Sequence, residues 1–128
     1  AHVVYTGIDA DRPATTSRRV IEDVIRAKLG FDGLLMSDDI SMKALGGDMR
    51  ERAALSFAAG CDLVLHCNGD MAEMKAVADA APALQGKSRQ RCDEALAKRK
   101  QPEAGFDPLA AREEFDALLA DVPERAVG

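Results

Sequence analysis

The chain has few aromatic residues and no excess of basic charge. It contains no Trp, and aromatic residues make up only 4% of its 128 positions. Stacking of nucleic-acid bases on aromatic rings is therefore not expected. The net charge of -5 also provides no positive surface for nucleic acid or for an anionic membrane. We predict neither a nucleic-acid partner nor a membrane partner.

Long apolar runs, paired cysteines and nucleotide-binding motifs are missing as well. No apolar run approaches the roughly 20 residues that a membrane-spanning helix requires. The three cysteines are an odd number without a close-paired spacing, which predicts neither a disulfide framework nor a metal centre. The sequence contains no Gly-x-Gly-x-x-Gly motif, P-loop or Cys-x-x-Cys motif. A reducing cytoplasm is the compartment that this cysteine content favours.

Short apolar runs alternate with helical patterns in the first part of the chain. The apolar runs predict β-strands at residues 2–5, 33–37 and 61–66. Helical patterns and capping residues predict helices at residues 16–29, 48–59 and 70–80. The order of strand and helix repeats about every 30 residues, which indicates an α/β fold with a parallel sheet and right-handed crossovers.

The expected domain organisation has two parts. Residues 1–82 are interpreted as three βα units, and residues 83–128 as a helical tail with helices at 88–100 and 109–120. Three strands alone would leave apolar edges without partners, and a complete α/β barrel needs about 250 residues. The chain also begins inside an apolar segment without an initiator Met. We therefore expect a portion of a larger barrel.

The most informative segment is residues 30–45, GFDGLLMSDDISMKAL. An apolar run ends there at two consecutive carboxylates, Asp38 and Asp39. In an α/β protein the C-terminal ends of parallel strands form the crevice in which ligands bind. Neighbouring residues of an extended segment point to opposite sides, so only one carboxylate can face that crevice.

We place the chemistry on Asp38 and expect Asp39 to cap the following turn or to pair with a base. The spacing alone leaves open whether Asp38 is a nucleophile, a general base or a metal ligand. The alternative interpretation is that the two residues are only a capping pair at the start of a loop.

Other polar and sulfur-containing side chains are weaker candidates. His2 is interpreted as a hydrogen-bonded structural histidine rather than a catalytic one. His66 ends the third predicted strand, where the fold places ligand contacts, and Met42 is either an apolar wall beside a ligand or a core residue. The arginines near the first loop and on the second helix are interpreted as exposed side chains; they are Arg12, Arg18, Arg19, Arg50 and Arg52.

Three segments, in order along the chain, resemble a known enzyme family. They read AHVVYTGIDADRPATTS, GFDGLLMSDDISMKAL and ERAALSFAAGCDLVLHCNG. Together they are similar to the C-terminal part of a family 3 glycoside hydrolase, and within it to the bacterial β-N-acetylhexosaminidases of peptidoglycan recycling. The related β-glucosidases have Ser-Asp-Trp where this chain has Ser37, Asp38 and Asp39, which favours the hexosaminidase branch.

The resemblance implies a TIM barrel to which this chain contributes the last three strands. Asp38 matches the family nucleophile, and Met42 matches a residue beside the sugar pocket. The family's general acid/base is a His–Asp dyad that lies upstream, as do the residues that bind the sugar, and neither His2 nor His66 matches the dyad histidine. The resemblance implies no metal and no other cofactor.

The expected function is therefore that of a retaining glycosidase of the cytoplasm. It would remove non-reducing β-linked N-acetylglucosamine from cell-wall muropeptides, with the upstream part of the same barrel as its structural partner. One alternative is another family 3 activity, such as a β-glucosidase. Another is a non-catalytic α/β fragment that binds a partner through its open sheet edge.

Overall fold

The computed structural model describes residues 1–102 and 104–120. One compact unit comprises Ala1–Lys98, and a second unit begins at Arg99. The first unit combines a small parallel sheet with helices, as expected of an α/β protein. The predicted boundary at residue 82 separates the βα units of a barrel from the helical tail, which is a different division from that into compact units. It stays a prediction. The part of the predicted tail beyond residue 120 lies outside the described residues.

The sheet has two parallel strands, β1 at Met36–Asp39 and β2 at Leu63–Leu65. Asp39 pairs with Leu65, and the pairing is irregular between this pair and the start of β1. The second and third predicted strands are thereby confirmed as neighbours. β1 lies closer to the two carboxylates than its apolar run indicates, so that both of them belong to the strand.

The first predicted strand is wrong for the described residues, because residues 2–5 form no strand. The carbonyl of Tyr5 instead accepts hydrogen bonds from the amides of Ile8 and Asp9, at 2.8 and 2.9 Å, and starts a turn. A strand requires a neighbouring backbone to satisfy its N–H and C=O groups. The segment reaches β1 through a side chain, since the ring of His2 lies 2.8 Å from the carbonyl of Asp39.

The predicted helix at residues 16–29 consists of two pieces in the structure. A 3₁₀ turn spans Ala14–Thr16, and a π-helix spans Arg19–Lys28. The amide of Leu29 binds the carbonyl of Val24 at 2.8 Å, the five-residue step that defines a π-helix. The periodicity of the sequence predicted a helix here but did not distinguish a π-helix from an α-helix.

The next two helices confirm the predictions made from their caps. Helix α1 spans Met49–Ala59 and helix α2 spans Met71–Ala80. Each begins after an aspartate, Asp48 or Asp70, whose carboxylate accepts a backbone N–H three residues later. Helix α1 ends at Gly60, whose φ of 114° favours glycine.

Two further helices confirm the helical character predicted for the tail. Helix α3 spans Gly86–Ala97 in the first compact unit, and helix α4 spans Pro108–Ala120 in the second. Phe115, Leu118 and Leu119 of α4 are exposed. Among the helices of the described residues, none is both long enough and apolar enough to cross a membrane.

Two apolar clusters hold the helices against one side of the sheet. One cluster consists of buried residues on the π-helix, α1 and the entry to β2: Ile21, Ala59 and Cys61. The other cluster follows β1 directly and contains Ile40, Leu45 and Ala53. Because Ile40 and Leu45 are both buried, the loop between them is anchored in the core at two points.

A buried carboxylate connects β2 to two helices at the end of the sheet opposite Asp38. The side chain of Asp62 is only 2% exposed and pairs with Arg26 at 2.8 Å and Arg91 at 3.0 Å. Its oxygens also accept hydrogen bonds from Ser88 at 2.6 Å and from the amide of Leu35 at 2.9 Å. Burial acts to raise the pKa of Asp62, but these hydrogen bonds outweigh it and hold the pKa below its usual value.

Candidate active site

Asp38 lies at the C-terminal end of β1 with its side chain exposed. Exposure alternates along the strand, since Met36 and Asp38 are exposed while Ser37 is buried. Alternate residues of a strand point to the same face. Asp38 therefore projects on the face of the sheet that the helices do not cover. Among the described residues its Oδ1 accepts one hydrogen bond, a local one from the amide of Asp39 at 2.8 Å, so the carboxylate is accessible to a ligand.

Asp39 has the opposite environment, although it is the next residue. Its carboxylate accepts the amide of Ser41 at 3.0 Å, the hydroxyl of Ser41 at 2.6 Å and the amide of Cys67 at 3.1 Å. The hydroxyl and amide of Ser41 lower the pKa of Asp39, with Cys67 contributing further. The expected capping role is confirmed, and the contact with Cys67 additionally joins the end of β1 to the segment after β2.

His2 contacts the backbone of Asp39, the residue whose carboxylate caps the turn. Its Nε2 lies 2.8 Å from the carbonyl oxygen of Asp39, which can only accept, so Nε2 carries the proton and donates. Its Nδ1 lies 2.9 Å from the hydroxyl of Thr15. Both ring nitrogens are thus engaged with the protein, as expected of a structural histidine. The contact fixes the backbone immediately after Asp38.

His66 lies after β2 but points towards helix α2 rather than into a ligand crevice. Its Nε2 is 2.9 Å from Oε2 of Glu73, and its side chain is only 6% exposed. Asn68 donates to the same carboxylate oxygen at 2.6 Å. These two hydrogen bonds, first that of His66, lower the pKa of Glu73. His66 therefore does not fit the expectation that the end of the third predicted strand contacts a ligand.

Met42 lies on the loop that follows β1 and is 45% exposed. It is therefore not a core residue, and of the two interpretations of this position the exposed one fits the structure. Its amide binds the carbonyl of Asp39 at 3.2 Å. The loop brings Met42 near the strand end that carries Asp38, but nothing in the contacts assigns it a ligand.

The interpretation of Arg52 as an exposed side chain is wrong. From helix α1 its guanidinium donates to the carbonyl oxygens of Ile40 and Gly47 at 3.0 Å each and of Met42 at 3.2 Å. These acceptors lie five to twelve residues before Arg52 in the chain, so no local sequence pattern indicates the contacts. Arg50 on the same helix is exposed as predicted.

The described residues contain no group of three or more His, Cys, Asp or Glu side chains that could hold a metal ion. What the strand end offers is one accessible carboxylate on a fixed backbone. Such a group can act as a nucleophile or a base towards a bound substrate. A second group for proton transfer would have to approach from the uncovered face.

The sequence of residues 1–99 matches the profile described as "Glycosyl hydrolase family 3 N terminal domain". The chain belongs to glycosyl hydrolase family 3. This membership agrees with the resemblance carried by the three sequence segments and covers both strands and the first three α-helices.

Curated relatives in the family are named β-hexosaminidases. The protein of Aromatoleum aromaticum is 38% identical over 112 residues, which cover 86% of this chain and 30% of that protein. The protein of Actinobacillus succinogenes is 49% identical over 70 residues, which cover 53% of this chain and 20% of that protein. The chain thus spans about a fifth to a third of the length of these relatives.

Two crystal structures are similar to the fold. CbsA from Thermotoga neapolitana is 28% identical with a TM-score of 0.66, over 98% of this chain and 28% of that one. A β-N-acetylhexosaminidase from Beutenbergia cavernae is 30% identical with a TM-score of 0.56, over 76% of this chain and 31% of that one. Both likenesses support the α/β fold of a family 3 glycoside hydrolase segment.

Proposed function

We propose that the chain is the nucleophile-bearing segment of a retaining β-N-acetylhexosaminidase with a TIM barrel. The observation that carries this proposal is the exposed carboxylate of Asp38 at the C-terminal end of a parallel strand. In a TIM barrel, catalytic residues lie at the C-terminal ends of the strands. The names of the family relatives and of one similar structure support hexosaminidase as the activity.

The proposed reaction has two steps. A carboxylate oxygen of Asp38 attacks the anomeric carbon and forms a bond to it, while the bond from that carbon to the leaving oxygen breaks. The leaving oxygen takes a proton from an acid on another part of the barrel. Water then gives a proton to the same group, attacks the anomeric carbon and releases Asp38 as a carboxylate.

The proposed substrate is a muropeptide with β-linked N-acetylglucosamine at its non-reducing end. The proposed setting is recycling of peptidoglycan in the cytoplasm. Met42 would contact the sugar as an apolar side chain, in agreement with its exposure on the loop after β1. The general acid/base and the groups that bind the acetamide would come from the upstream part of the barrel, which makes that part the necessary partner of this segment.

The test is a comparison of two chromogenic substrates with the protein expressed from its complete reading frame. We expect hydrolysis of 4-nitrophenyl N-acetyl-β-glucosaminide to exceed that of 4-nitrophenyl β-glucoside by at least a hundredfold. The Asp38→Asn variant, which keeps the shape of the side chain, should lose both activities. A preference for the glucoside would indicate another family 3 glycosidase, and no hydrolysis of either compound would contradict the proposal.

A further inference from the structure

The loop at residues 40–47 follows the candidate nucleophile and carries Met42 at its exposed position. Two of its residues are held in the core: Ile40 at its start is fully buried, and Leu45 is 4% exposed. Between these anchors the chain turns, with the amide of Leu45 binding the carbonyl of Met42 at 3.3 Å. Three carbonyl groups of the loop, those of Ile40, Met42 and Gly47, face helix α1. Burial of Ile40 and Leu45 alone does not fix their orientation.

Arg52 donates a hydrogen bond to each of these carbonyl groups, and at Met42 it adds to the bond from the amide of Leu45. One guanidinium serves Ile40 and Met42 through Nη1 and Gly47 through Nε, at 3.0 to 3.2 Å. The carbonyl of Arg52 itself accepts from Ser56, which is fully buried, at 2.8 Å. The arginine therefore connects the rigid helix to both ends and the middle of the loop.

Only an arginine can make this set of contacts. The planar guanidinium presents N–H groups in fixed divergent directions, whereas the ammonium of lysine is a compact point donor on a flexible stem. We infer that Arg52 is a positioning residue of the active site, which fixes the loop at residues 40–47 and thereby holds Met42 and the end of β1 behind Asp38. This inference rests on the proposed function and deepens it.

The test uses Arg52→Lys, with Arg50→Lys on the same helix as the matched control, in the protein from its complete reading frame. We expect Arg52→Lys to lower kcat for the N-acetylglucosaminide at least tenfold and Arg50→Lys to change it less than twofold. Hydrogen–deuterium exchange should accelerate within residues 40–47 in Arg52→Lys alone. The exchange measurement needs no activity, so it tests the loop contact even if the proposed function fails.

A second variant separates positioning from general stability. A cavity of about 290 Å³ borders Arg52, Leu45 and Leu55 and is large enough for a guanidinium ion. Guanidinium ions at millimolar concentration should therefore restore several-fold activity to Arg52→Ala, whereas sodium ions should not. Unchanged exchange in residues 40–47, or loss of cooperative unfolding in both Arg52 variants, would overturn the inference.

Discussion

Two neighbouring carboxylates, Asp38 and Asp39, have different environments because they lie on opposite faces of one strand. The carboxylate of Asp39 accepts the amide and hydroxyl of Ser41 and the amide of Cys67, while that of Asp38, within the described part of the chain, accepts one hydrogen bond, from the next residue. A carboxylate with three donors is stabilised as an anion and is a poor nucleophile. The accessible one is available to a substrate.

A pair of substitutions at Asp39 tests this division of tasks. Asn keeps an oxygen that can accept the two amides, so Asp39→Asn should retain at least a third of the wild-type kcat. Ala removes all three hydrogen bonds, and Asp39→Ala should lower kcat by about tenfold to a hundredfold, equivalent to about 1.4–2.7 kcal/mol. Hydrolysis rates of the N-acetylglucosaminide measure both. A dead Asp39→Asn enzyme would instead point to Asp39 as the reacting carboxylate.

At the scale of elements, features with local causes were predictable from the sequence. The capping aspartates Asp48 and Asp70 and the terminating Gly60 act on residues within one helical turn, and their patterns located α1 and α2. The contacts of Arg52 and the ion pairs of Asp62 were not predictable. They join residues five to 36 positions apart whose encounter depends on the fold.

Helix α3 is held to the sheet by charge as well as by the chain. Arg91 bridges Asp62 and Asp32 at 3.0 and 2.6 Å, and Lys87 binds Asp32 at 2.7 Å. The hydrogen bonds of Lys87 and Arg91 lower the pKa of Asp32 to about 2. Asp32 is the exposed carboxylate of this group, whereas Asp62 is buried, so protons of the solution reach Asp32 directly.

The pH dependence of stability should report this attachment. The folded protein has a lower pKa at Asp32 than the unfolded chain, so the stabilisation is complete above the unfolded value of 3.8 and is lost as the pH falls through about 2. Asp32→Asn should therefore lower the melting temperature by a few degrees at pH 6 and by progressively less towards pH 2. Asp93→Asn, which breaks the exposed pair with Arg89 within α3, is the control. An equal effect of Asp32→Asn at pH 6 and pH 2 would refute the linkage.

At the scale of the whole molecule, the first residues and strand β1 leave apolar surface exposed. Val3, Val4, Tyr5 and Met36 are each between 43 and 51% exposed. Residues 2–5 have the composition of a strand but do not form one, because a strand is completed by the backbone beside it. The composition of residues 2–5 indicated a strand, but whether they form one depends on a neighbouring backbone, which the sequence of the segment does not specify.

The 128 residues expressed alone should associate through this surface. Exposed strand edges and apolar faces pair with other chains unless something covers them. We therefore expect aggregates or edge-paired oligomers in light scattering, and no hydrolysis of the N-acetylglucosaminide. Addition of the upstream part of the reading frame as a separate chain should reduce the association. A stable, cooperative monomer that turns over the substrate would show that these residues are sufficient.

The identity of the reacting carboxylate is the central claim, and mass spectrometry of the trapped enzyme tests it most directly. A fluorinated N-acetylglucosamine analogue slows the second step, so the sugar remains attached to the nucleophile. Trypsin should release residues 29–43, a peptide with three carboxylates, Asp32, Asp38 and Asp39. Fragment ions should place the added mass on Asp38, and Asp38→Ala should remain unlabelled while Asp39→Ala is still labelled. Label on Asp39, on Asp32 or outside this peptide would contradict the account.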